Sequence, residues 1–573
     1  MAALGAILLG SASCIEINEE LGEDLIPTDQ KWDVFNPEPV EFKDIRLQMS
    51  DSLAGYSTAR FTFGAINDGE LGTSTKGTSF TLVPLNDTID FGKNTRLKRF
   101  HLSAVRDTIS TMFDSQERII QNVFVSELKI PLDSNVLYNG SFTQYSERGR
   151  RNWDEYINNP YDAKNRITDG TPVYAGGDSL SFDFSLEFAE SFAERLKTAN
   201  LDSMDLYVKS LPGIYITTDR PVGEGGRINM FETALQTTST YTVTGNYAEL
   251  QFTAEYDYSD EPVDTSFLFM FGAADFMRFD DDGNLVEPTY LAFNASDHET
   301  SAEYGEDGLV AKENIYIEGG SGVKPVIKAE EIKSILEQMM DEKGIKQEQR
   351  SEVVINKATI ILPYDVGGNF NRLDKYPMIL SPTVRLRSSD GKYISYAGLT
   401  DSSIESENQG NINRSTSRYA PDVSHHVQEI LKLDRNDEEY GKKILNYDIR
   451  FLIMHEEITE TSSDNSYNDY YNNLLYSSYY NTMMYDPYGY GYGYGGYGYG
   501  YGYGYDSYGY GYGSNYYNYL MMAQYASASG STSTTSSIEL DKDRFYNAVL
   551  NGPEASGEKP RLKITFSVPK SAE

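Results

Sequence analysis

The chain is almost without cysteine: Cys14 stands alone among 573 residues. A single thiol excludes a disulfide framework and any multi-thiolate metal site. Tryptophan is nearly as scarce, with only Trp32 and Trp153, so a sugar-stacking platform of indoles is disfavoured, although tyrosine can substitute. No run of about 18 apolar residues occurs, which leaves no membrane-spanning helix to expect. Positive charge is short as well. Lysine and arginine number 49 against 86 aspartates and glutamates, a net charge of −37. That balance argues against nucleic acid, whose phosphates demand basic stripes, and against adhesion to anionic lipid headgroups. Histidine is limited to His101, His298, His425, His426 and His455, and no HExxH or similar ligand pairing occurs.

The N-terminus gives the lone cysteine a role. Residues 2–10 form an apolar run too short to cross a bilayer, and Ser11, Ala12 and Ser13 put little bulk before Cys14. This order predicts a lipoprotein signal peptide over residues 1–13, removed so that Cys14 becomes the acylated first residue. Each buried methylene contributes about 0.8 kcal/mol, so several acyl chains anchor stably in an outer membrane. Glu16, Glu19, Glu20, Glu23 and Asp24 follow at once. They are similar to the outer-leaflet export signal of Bacteroidota lipoproteins, and they equally suit a charged tether over residues 14–36.

Most of the remaining chain alternates apolar and polar residues with period two, the signature of half-buried strands. Segment 248–258 places Leu250, Phe252, Ala254, Tyr256 and Tyr258 on one face, and segments 57–66, 123–132, 205–216, 357–364, 447–454 and 560–568 behave alike. Helical periodicity is confined to 185–197, 328–342, 422–433 and 541–550. Three of these follow a short strand and an acidic or serine cap, which suggests a recurring strand–helix unit. The expected fold is therefore mainly β: two related antiparallel β-sandwich domains, jelly-roll-like, with a few short helices. The first sandwich is expected over 37–262 and the second over 263–466, completed by a helix and strand in 536–573.

Between them, residues 467–535 form a tyrosine- and glycine-rich insertion. Segment 467–525 holds 23 of the 46 tyrosines, and no lysine or arginine occurs between Arg450 and Lys542. Such a tract lacks the aliphatic bulk for a core, and its glycines make ordering costly. If extended, every tyrosine would face one way. Tyr488, Tyr490, Tyr492, Tyr494, Tyr497, Tyr499, Tyr501, Tyr503 and Tyr505 are the candidate partner-binding residues. A tolerated low-complexity loop is the competing reading.

No catalytic signature stands out. GxSxG, P-loop and dinucleotide fingerprints are absent in the required strand–turn–helix context. His425 and His426 are adjacent on one expected helix, so one should face solvent and the other pack; His455 should lie in a solvated turn. The segment 279–284 glances at a calcium loop, but Arg278 would fall at the first ligand position, so a hairpin turn is the better reading. A glycosidase would need paired carboxylates, and 86 acidic residues make any pair uninformative. No metal, cofactor or enzymatic activity is therefore expected. Asp followed by Ser/Thr and an aliphatic or Met residue recurs at Asp51, Asp87, Asp107, Asp178 and Asp202, similar to an O-glycosylation acceptor of exported Bacteroidota proteins.

Cys14 followed by LGEDLIP (21–27), ARFTFGAINDGELGTSTKGTSF (59–80), VSELKIPLDSNVLYNG (125–140) and LPGIYI (211–216) together resemble the Bacteroidota lipoprotein family catalogued as domain-of-unknown-function family 4270. The resemblance implies an outer-membrane, surface-exposed β-sandwich lipoprotein without an established enzymatic activity. Some related surface lipoproteins look like accessory subunits of the outer-membrane assembly machinery. The expected partners are thus the outer membrane, through the lipid, and a β-barrel or assembly-complex protein; a glycan is the alternative ligand, and nucleic acid is not expected.

Overall fold

Period-two alternation becomes a core wherever strands pair. In strand Tyr247–Glu255, Ala248, Leu250, Phe252 and Ala254 are fully buried. The residues between them are not, as a pleated strand with one covered face requires. The computed structural model describes residues 32–49, 60–106, 120–133, 155–272, 278–461 and 533–570, apart from gaps of at most eight residues. Strand Tyr247–Glu255 is central to a five-stranded sheet, in the order Ser179–Asp183, Lys93–Val105, Tyr247–Glu255, Val263–Phe271, Leu82–Pro84. A seven-stranded sheet carries Gly225–Glu232, Arg60–Asp68, Gly72–Phe80, Ile214–Thr218, Gln121–Glu127 and Val173–Ala175 in that order, with Ala292–Glu299 beside Gly72–Phe80. The two sheets share one core, in which Phe61, Phe63 and Phe80 meet Phe100, Phe252 and Phe269. Aromatic side chains this large bury more apolar area each than aliphatics and dominate such cores.

Helix Leu186–Leu196 completes this first sandwich. Ser185 caps it by accepting from the Phe188 N–H at 3.1 Å. Phe188, Ala189, Phe192, Ala193 and Leu196 then face inward, and the Phe188 and Phe192 rings pack on Phe100.

The second sandwich packs a six-stranded sheet on a seven-stranded one. Strand Arg561–Pro569 is central to the former, between Trp32–Phe35 and Val354–Pro363. The latter runs Leu309–Val310, Ile45–Met49, Val323–Ile327, Ile449–Thr461, Ile379–Arg387, Ile394–Gly398, with Ser533–Leu540 beside Ile449–Thr461. Helices Ala329–Glu342 and Ser424–Lys432 bury one face each in the same core. Their exposed N–H groups are satisfied from a distance. Asp448 accepts from the Ala329 N–H, and both Asp401 oxygens accept from His425 and His426. As expected of neighbours on a helix, His426 is buried and His425 exposed.

Pairing divides the chain differently from the expected boundary at 262/263. That boundary cuts the hairpin Tyr247–Glu255/Val263–Phe271, whose two strands are in register from Tyr247↔Met270 to Ala254↔Val263. Strand Ala292–Glu299 also stays with the first sandwich through Gly72–Phe80. Conversely, Trp32–Phe35, Val40–Glu41 and Ile45–Met49 pair with Arg561–Pro569 and Val323–Ile327 of the second. The first sandwich, 60–299, is thus inserted into the second. Three local expectations also change. The helix expected over 541–550 is strand Asn547–Asn551, held by pairing with Asn314–Glu318. Segment 205–216 splits into helix Met204–Ser210 and strand Ile214–Thr218. His455 lies within strand Ile449–Thr461 rather than in a turn, because Ser533–Leu540 continues the ladder past it. Arg278–Phe279 and Leu285–Val286 pair antiparallel on either side of the hairpin turn expected at 279–284, and the turn residues 280–284 lie outside the described residues.

Candidate functional site

Cys14, residues 14–31 of the expected tether and Tyr488, Tyr490, Tyr492, Tyr494, Tyr497, Tyr499, Tyr501, Tyr503 and Tyr505 lie outside the described residues, whereas Trp32–Phe35, expected within the tether over 14–36, is a strand paired with Arg561–Pro569. Thr461 pairs directly with Ser533, and the ladder runs back to Met454↔Leu540. The other neighbours of strand Ile449–Thr461 stop earlier: Ile379 pairs with Met454 and Val326 with Arg450. Residues 455–461 and their partners therefore form a two-stranded arm beyond the sheet. Seven residues at about 3.3 Å each make it roughly 23 Å long. The tyrosine tract is inserted at its tip.

The N-terminal tether leaves from another edge. Trp32–Phe35 is an edge strand, and Phe35 stacks on Phe566 at 5.3 Å. Trp32 and Val34 point outward and are 47% and 66% exposed.

A second feature lies where the sandwiches meet, and it is charged and buried. His298 of the first sandwich puts Nδ1 3.6 Å from Glu318 Oε1 of the second. Glu318 Oε2 accepts from the Val323 N–H at 3.0 Å. Burial alone would raise the Glu318 carboxyl, but His298, that N–H and Lys324 outweigh it and hold it below the usual range. Lys324 Nζ donates to the Gly320 and Gly322 carbonyls at 2.9 and 3.1 Å. Burial, reinforced by Lys76 of the first sandwich, pushes this amine down to about 7 despite Glu318 and Asp541. Asp541 is wholly buried and accepts from the Arg544 N–H and Nη1 at 2.9 and 2.7 Å. Arg544 and His455 overcome its burial and draw it down to about 2. His298 and Lys76 of the first sandwich thus set their charges against Glu318 and Lys324 of the second, whose hydrogen bonds are made within their own sandwich.

On the outer face of the five-stranded sheet, three side chains take catalytic-triad distances. Ser181 Oγ is 3.2 Å from His101 Nε2, and His101 Nδ1 is 2.6 Å from Asp183 Oδ1. A fourth side chain, Arg99, joins them. Arg99 Nε donates to the same Asp183 oxygen at 2.8 Å, and Arg99 Nη2 lies 2.9 Å from His101 Nδ1. Partial burial raises the Asp183 carboxyl, but its bonds from Arg99 and His101 outweigh this and hold it low. The group acts as a cross-strand polar ladder that ties edge strand Ser179–Asp183 to Lys93–Val105.

The Val173–Ala175 edge of the seven-stranded sheet carries rings. Tyr174 is directly across from Asn122, and Phe124 lies two residues along the same outer face. Tyr161 packs edge-on against Phe124 at 5.5 Å, and the Arg166 guanidinium covers that ring at 4.5 Å. Tyr161 and Tyr174 remain 44% and 55% exposed, and Ile120 borders them at 70%. Asn122 Nδ2 donates to Asp219 Oδ2 at 2.6 Å. None of this was legible beforehand, because Tyr161 lies in an aperiodic loop and Tyr174 in a three-residue strand. Among the described residues no group of three or more His, Cys, Asp or Glu side chains is placed to hold a metal ion.

No family profile, curated protein or solved structure matches the chain.

Proposed function

We propose that the chain is an outer-membrane lipoprotein, anchored through Cys14 and exposed at the cell surface, that works by binding as a subunit of an outer-membrane complex. The observation that carries this reading is the arm. A two-stranded ribbon whose ends are joined in sequence by a segment with half of the chain's tyrosines suits a contact with another molecule. The docking surface is a β-barrel or a component of the barrel-assembly machinery, in keeping with the family resemblance of the sequence. Eighteen positions separate Cys14 from Trp32, enough to extend about 60 Å. The exposed Trp32 and Val34 mark the edge of the second sandwich nearest the membrane, where tryptophan is favoured.

The test is recovery of partners from mild-detergent outer membranes, with the intact chain and with residues 467–525 deleted. The intact chain should bring down a stoichiometric barrel or assembly protein, and the deletion should lose it while melting unchanged. Equal recovery by both forms removes the tract from the interface. A second reading, binding of glycan, is favoured by the exposed rings at Tyr161 and Tyr174.

A further inference from the structure

We infer that the ring-bearing outer face at the Gln121–Glu127/Val173–Ala175 edge binds a neutral polysaccharide chain, which specifies a site and ligand class for the glycan reading. Three features of the face select this ligand. Two half-exposed phenol rings flank Phe124, and pyranose rings present apolar C–H faces that stack on such surfaces. Between and beside the rings stand the Asn122–Asp219 pair and the Arg166 guanidinium. These supply the donors and acceptors that sugar hydroxyls require.

The face is also set in place before any ligand arrives. The Tyr161 hydroxyl donates to the Thr218 carbonyl at 3.4 Å, and its N–H to Asn159 Oδ1 at 3.0 Å. Asn165 Nδ2 closes the same loop onto the Asn159 carbonyl at 2.9 Å. Little side-chain freedom is left to lose on binding. The field of a chain with net charge −37 repels polyanions, so the glycan is neutral rather than acidic.

Affinity electrophoresis of the full chain through gels containing dextran, mannan or xylan tests the assignment. The wild type should be retarded by at least one of them. Tyr174→Ala should weaken that retardation about tenfold, the loss of one stacked ring, and Tyr161→Ala with Tyr174→Ala should abolish it. Tyr258→Ala, an exposed ring on a different hairpin, and deletion of 467–525 should leave it unchanged. The second control separates this site from the complex-subunit reading, because either can fail alone. No retardation in any gel overturns the inference. So does retardation that survives the double substitution, or that falls equally with Tyr258→Ala. Thermal melts check that the double variant is folded, which half-exposed positions make the expected result.

Discussion

Replacing Lys324 by methionine should stabilise the protein at neutral pH. Its ammonium is buried, and burial moves its pKa from 10.5 in the open chain to about 7 in the fold. Between those values the unfolded chain binds the extra proton, so stability rises with pH across that window. Below it, keeping this amine in the fold costs roughly 4 kcal/mol. Against that stand its two hydrogen bonds, to the Gly320 and Gly322 carbonyls, each worth about 1 kcal/mol net. Lys324→Met fills the same volume without the charge, and the balance leaves a gain of about 2 kcal/mol, or roughly 5 °C. Thermal melts of both forms between pH 6.5 and pH 10.5 provide the assay. The advantage should be largest at pH 7 and below, vanish near about pH 9, where the penalty has fallen to the worth of the two hydrogen bonds, and reverse by pH 10.5. A variant that melts below the wild type at pH 7, by an amount that does not change with pH, would refute the reasoning. It would mean that the ammonium stabilises the junction outright through Glu318 and Asp541.

Three further substitutions probe other parts of the framework. Gly64 and Gly226 have φ of +145° and +128°, and a Cβ on either would come within 2.1 Å of a carbonyl on the facing strand; Gly64→Ala or Gly226→Ala should cost about 3 kcal/mol by chemical denaturation, and an unchanged midpoint would show that the strand pair can relax. Asp541 is held at about 2 against 3.8 in the open chain. Its contribution of about 2 kcal/mol is complete above pH 4 and is lost as pH falls towards 2. Asp541→Asn should cost about 3 kcal/mol at neutral pH by leaving Arg544 buried without its carboxylate, and should flatten the acid limb of the stability curve. An acid limb identical in both forms would exclude Asp541 as its source.

The local elements were legible because each obeys a short-range rule. Strand Arg561–Pro569 buries Leu562, Ile564, Phe566 and Val568 at the expected alternation. Helix Leu186–Leu196 begins after the serine that its periodicity requires. The rules failed where a partner strand overrode local pattern. Segment 541–550 has helical spacing, yet Asn314–Glu318 captures residues 547–551 as a strand. The junction between the sandwiches was invisible for a different reason. His298 and Glu318, like Lys76 and Lys324, belong to different sandwiches, and no window of sequence brings either pair together.

By itself, then, the sequence determined the strand-rich class, the helices that cap themselves, the acidic surface charge and the expectation of a lipid anchor at Cys14. All of these follow from composition and near-neighbour periodicity. Only the tertiary structure decided that the N-terminal strands close the C-terminal sandwich, with the other sandwich inserted between them. It alone paired the two strands that flank the tyrosine tract in sequence and gathered Tyr161, Phe124 and Tyr174 on one face. Strand order depends on which distant edges can satisfy each other's backbone groups and share a core, and a periodic pattern carries no record of that choice.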